Sequence, residues 1–190
     1  LSIILSNSYF ILCISCLLQL YIFLISLPYS NAKLMKKILS VAIAVLIFHS
    51  LNAQQTRYYN AADLNVIGKA IPTSKDFTRI DTSAYRFNDK VIDEFACHSP
   101  GLAVLFATDS PFIKAKWQTS PANASENMTA IAQKGLDLYI RQDGEWVFAG
   151  VGRPQMDKGP EYACHEGTIV KSMAPGRKEC LLYLPLYDRL

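Results

Sequence analysis

No internal repeat, low-complexity tract or heptad pattern runs through residues 54–190, and sustained helical periodicity is missing from them. A solenoid and a coiled coil are thereby excluded. The same stretch has no excess of either charge. Of the 19 basic residues, Lys33, Lys36 and Lys37 precede residue 54, and none of the 16 acidic residues does, which leaves 16 against 16 beyond it. The overall charge of +3 belongs to the first 53 residues, and the electrostatic case for nucleic acid or an anionic membrane surface goes with it. Cysteine is scarce too. Of five, Cys13 and Cys16 fall in the leader, so their C-x-x-C spacing is no redox motif. Cys97, Cys164 and Cys180 allow one disulfide and one free thiol, and spacing does not choose the pair.

What is present at the front is a secretory signal. Met35-Lys36-Lys37 supplies a charged start, Ile38–Phe48 an apolar run too short to span a bilayer, and Ala53 a small-residue cleavage site. The expectation is export to the periplasm or the medium, with cleavage near Ala53 and a mature chain from Gln54. No cysteine follows the cleavage site to carry a lipid anchor. Residues 1–34 are Leu-, Ile- and Ser-rich with a single charge, as upstream DNA translated in frame would be, and are read as non-native with no part in the fold. The rival reading is a membrane helix over Ile11–Pro28 with Lys33, Lys36 and Lys37 on the cytoplasmic side; the intact signal that follows disfavours a stable anchor. Residues 54–190 have the length of one domain with one core.

The pattern within that domain is of short strands. Leu136, Leu138 and Ile140 alternate with Asp137, Tyr139 and Arg141; Gln142-Asp143-Gly144 follows, then the apolar run Trp146–Ala149. Asp-Gly between two such runs signals a hairpin, because glycine accepts the positive φ of the turn. Leu102–Thr108 and Phe112–Trp117 flank Ser110-Pro111 and are expected to be neighbouring strands. Cys180–Leu184 is a strand stopped by Pro185, Thr78–Phe87 a weaker one, and Val91–Ala96 has room for a turn of helix. The fold class is all-β, an antiparallel sandwich or barrel.

Residues that could do chemistry are few. Ser110 follows Asp109 as a hydrolytic serine does, but Thr108 stands where glycine should. No histidine has an aspartate three residues before it, and no Gly-x-Asn-Asp block exists. A nucleophile needs a base and an oxyanion hole, so no catalytic residue is assigned and Ser110 is read as a turn. Cys97-His98 and Cys164-His165 could make a tetrahedral zinc site only if loops turned each pair inward, and the usual C-x₂₋₄-C spacing is missing. No metal or cofactor is assigned; a Cys97–Cys164 disulfide ranks somewhat above zinc for those thiols, and neither is expected. Trp117, Trp146 and Tyr139 are the candidate ligand-binding residues, as a sugar-stacking platform; the competing role for such aromatics is packing. Asn123-Ala124-Ser125 and Asn127-Met128-Thr129 read as an ordinary polar loop.

Gly135-Leu136-Asp137-Leu138-Tyr139 matches the Gly-x-Asp-Leu-Tyr signature of the domain that precedes the catalytic domain in SGNH-type (GDSL-like) hydrolases, common in Bacteroidetes. His98-Ser99-Pro100-Gly101-Leu102, Thr108-Asp109-Ser110, Trp146 and Leu182-Tyr183-Leu184-Pro185-Leu186-Tyr187 agree in order. The resemblance runs from about Tyr58 to Leu190. It implies a jelly-roll-like β-sandwich packed against a following α/β hydrolase domain that cleaves esters, often acetyl or acyl groups on carbohydrates. The catalytic blocks of that second domain are not in this sequence, and family members add a strand beyond the Leu-Pro-Leu-Tyr segment. The expectation is therefore the front part of an exported esterase, with the hydrolase domain as its partner. The alternative is a stand-alone carbohydrate-binding module.

Overall fold

The computed structural model describes residues 1–6, 37–38, 41, 56–70, 77–121, 126–156 and 163–190. Among them are nine strands and two short α-helices: β1 (Ser2–Ser6), β2 (Thr56–Asn60), β3 (Asn65–Ile67), α1 (Lys90–Ala96), β4 (Ala103–Thr108), β5 (Ile113–Gln118), α2 (Ala130–Lys134), β6 (Leu136–Gln142), β7 (Glu145–Gly152), β8 (Cys164–Val170) and β9 (Lys178–Tyr183). Residues Leu1–Leu5 and Arg57–Leu190 form one compact unit, and Ser6–Thr56 a second, in which Lys37, Ile38 and Val41 are helical. The remainder of the expected signal peptide, 35–53, and the alternative membrane helix Ile11–Pro28 lie outside the described residues. No helix among the described residues is long and apolar enough to cross a membrane.

The strands make two sheets, four strands in the order β2-β1-β5-β8 and five in the order β3-β4-β9-β6-β7. Pairs β1–β5, β5–β8, β3–β4, β4–β9, β9–β6 and β6–β7 are all antiparallel. Alternation in the sequence explains why the sheets share a core. Ile113, Ala115 and Trp117 of β5 are buried while Lys114, Lys116 and Gln118 turn away from it. Leu136, Leu138 and Ile140 of β6 meet them from the other sheet, with Val104, Cys180 and Leu182. A sheet that buries one face and wets the other reads this way. The all-β class holds, and the β6–β7 hairpin forms with Asp143 at φ 50 and Gly144 at φ 88, the pair of positive angles that a two-residue turn of this hand requires.

Two expectations change. Thr78–Phe87 is not a strand, because the Asp81 side chain accepts hydrogen bonds from the Ser83 N–H at 2.9 Å and the Ser83 hydroxyl at 2.6 Å and holds a turn; local bonds of this kind compete with a ladder. The strands on either side of Ser110-Pro111 are not neighbours. β4 lies in the five-stranded sheet and β5 in the four-stranded one. The buried Ser110 hydroxyl bonds the Phe112 backbone and Pro111 has no N–H to give a ladder, so the chain crosses the core instead of doubling back. Within residues 1–34, Ser2–Ser6 pairs with β5, Ser2 opposite Lys116 and Leu5 opposite Ile113. Ile3 and Ile4 are buried there. A short apolar run rich in Ile suits a strand position that would otherwise be an open edge.

Candidate functional site

The Gly-x-Asp-Leu-Tyr segment sits where α2 turns into β6. Thr129 caps the helix start by accepting from the Ala132 N–H, and the Gly135 N–H closes its end on the Ile131 carbonyl at 2.9 Å. A β-carbon on residue 135 would stand 2.3 Å from that carbonyl oxygen, so only glycine lets helix and strand approach this closely. Leu136 and Leu138 then point into the core, and Asp137 and Tyr139 point out.

The outer face thus begun is an aromatic one. Tyr139 lies opposite Phe148 on β7 and Leu181 on β9. Its ring meets Phe148 and Tyr183 edge-on, each with centroids 5.7 Å apart. Two residues along, Arg141 sits 5.9 Å from the centre of the Trp146 ring and 3.2 Å from Glu179. Asp137, between Tyr183 and Val151 in register, is half-buried, and burial alone pushes its carboxyl above the usual range. Rings flanked by a carboxylate and a guanidinium can stack on an apolar or planar partner and hydrogen-bond its edge.

A second polar cluster lies inside one end of the sandwich. The Lys134 ammonium is 2.7 Å from the Asp188 carboxylate, and both side chains are 2% exposed. Lys134 also donates to the Ser120 carbonyl at 2.6 Å, and Asp188 accepts from the Ser120 N–H and hydroxyl. The Trp117 indole N–H donates to the Lys134 carbonyl at 2.9 Å. His165 packs against Trp117, its Nδ1 accepts from the Gln155 N–H, and its Nε2 lies 3.0 Å from the Thr119 hydroxyl. An Nδ1 that accepts leaves the proton on Nε2, the neutral form. Burial, then Lys134, holds His165 below its ordinary value against Asp188. Every partner in this cluster is internal, and its role is to pin the segment after β9 to the end of β5.

The three candidate platform residues are not brought together. Trp117 is a core residue and offers no face to solvent; Tyr139 and Trp146 share the outer face with Phe148 and Tyr183. Ser110 is buried in its turn. Cys97-His98 and Cys164-His165 are apart: His98 meets Phe95 and Tyr187, while His165 meets Trp117. No group of three or more potential metal ligands converges among the described residues. Cys97, Cys164 and Cys180 are free thiols, so none of the pairings open to them is formed. Burial pushes the Cys180 thiol up to about 11. Sequence reading missed the Lys134–Asp188 pair. Neither residue has a local signal, since the lysine closes a short helix and the aspartate follows a strand by five positions.

A family model described as "GxDLY: N-terminus of Esterase_SGNH_hydro-type" matches residues 56–190. The chain belongs to this family. The GxDLY domain is also similar to the crystal structure of a candidate GDSL-like lipase from Bacteroides ovatus, at 45% identity and a TM-score of 0.64. That match covers 70% of this chain and 37% of the other. No curated protein matches. The matched family is described as the N-terminus of SGNH-hydrolase-type esterases, and in this chain its motif is split between the core and the outer face.

Proposed function

We propose that this GxDLY domain is the non-catalytic front of an exported SGNH-type esterase, a jelly-roll module that serves a following hydrolase domain acting on acyl or acetyl esters, carbohydrate esters among them. The observation that carries the reading is the family match across residues 56–190 with Asp137 and Tyr139 of the motif turned outward, available to something outside the sandwich. The signal-like Met35–Ala53 stretch supports export. Secretion of the full-length protein followed by N-terminal sequencing and an assay on p-nitrophenyl acetate and acetylated xylan tests it. Hydrolysis of both, with Gln54 as the first residue, is expected. No ester cleavage on either substrate would reject the reading.

The second reading, a carbohydrate-binding module without an enzymatic partner, is favoured by one feature. Trp146 is partly exposed beside Arg141 on the outer face. Retardation of the protein in polysaccharide affinity gels, abolished by Trp146→Ala, is its expected outcome; free migration in every gel removes it.

A further inference from the structure

We infer that the end of the sandwich formed by α1 and the Leu-Pro-Leu-Tyr segment is the surface on which the hydrolase domain of the full-length protein docks; this rests on the reading of the chain as the front of such an enzyme. Helix α1 is capped at its start by Asp89, which accepts from the Val91 N–H at 2.8 Å, and of its seven residues it buries only Ala96. Val91, Ile92 and Phe95 are exposed, and so is Leu186 in the chain segment that follows β9. An amphipathic helix normally turns such residues inward. The Phe95 ring instead reaches His98 and Tyr187, with centroids 5.3 and 5.4 Å away, so the exposed helix meets the Leu-Pro-Leu-Tyr segment through an aromatic contact.

The position of the chain names the occupant. The Ser99 N–H donates to the Asp188 carbonyl at 2.9 Å, and the Tyr187 N–H to the Gln133 carbonyl at 3.1 Å. Asp188 is tied to Ser120 and Lys134. Whatever follows Leu190 therefore leaves the sandwich from this end, immediately beside the exposed helix. The similar crystal structure has most of its length outside the matched part, since the match covers 37% of it. Domain interfaces within a chain bury about 600–1,500 Å², and a domain that emerges here has this surface within reach at the least linker cost.

Hydroxyl-radical footprinting of the full-length protein tests the inference with an internal reference. Phe95 is 39% exposed and Phe148, on the outer sheet face, 55%, so the two rings of one chemical type should label almost equally if neither is covered. Docking on α1 is expected to lower Phe95 labelling several-fold relative to Phe148, as an exposed ring becomes a covered one. Ile92→Glu should restore Phe95 labelling and expose the junction after Leu190 to protease. Equal labelling of the two rings, or protection of Phe148 instead, overturns the surface. Ester cleavage read on the same sample separates the two claims: an active protein with unprotected Phe95 sinks the surface alone, and a protected Phe95 without activity sinks the esterase alone.

Discussion

Lys134 and Asp188 show how much one buried pair can hold. At 2.7 Å and 2% exposure they are mutually neutralised, and removing one partner leaves the other charge uncompensated. Lys134→Met is therefore expected to lower unfolding free energy by about 3–5 kcal/mol in a urea titration. His165 beside them sets a pH window. Its folded-state value lies below its ordinary 6.5, so the unfolded chain binds the proton first and stability falls as pH drops through 6.5 toward the folded value. Urea midpoints on either side of 6.5 should show that fall, reduced in His165→Gln. Asp137 works in the opposite sense. Because burial alone raises its value, the folded state disfavours its charge at neutral pH, and Asp137→Asn should leave the midpoint unchanged or raise it.

At the scale of elements, the hairpin was legible because its determinants are local. Alternation in Leu136–Arg141 and the Asp143-Gly144 step encode register and turn together. Gly144 takes φ 88, and open space lies where a β-carbon would stand, so Gly144→Ala tests backbone strain alone. A cost of about 1–2 kcal/mol is expected, read as a lower thermal midpoint. Helix α1 was legible for the same reason, through Val91–Ala96. The β4–β5 relation was not. Two apolar runs joined by a turn can share a sheet or face each other across a core, and the choice here depends on the Ser110 hydroxyl bonding the Phe112 backbone. Nor does β8, Cys164–Val170, announce itself, since it mixes charged, small and apolar residues and is held by its pairing with β5.

For the molecule as a whole, β1 and the signal peptide bear on each other. Cleavage near Ala53 would remove Ser2–Ser6, and β5 would lose the partner that buries Ile3 and Ile4 against it. A chain that begins at Gln54 is expected to have a lower thermal midpoint than residues 1–190. A peptide of residues 1–6 added in trans should raise it; an unchanged midpoint with excess peptide would show that the β5 edge needs no strand.

The strand class, the hairpin, the family motif and the neutral charge of residues 54–190 could all be read from the chain as a string, because each depends on residues close together in it. Folding in three dimensions was needed to make Trp117 core and Tyr139 surface, to bring Lys134 to Asp188, and to stand α1 beside the departing chain. Those facts depend on which segments pair across the sandwich, and long-range pairing is set by the shared core rather than by any local pattern.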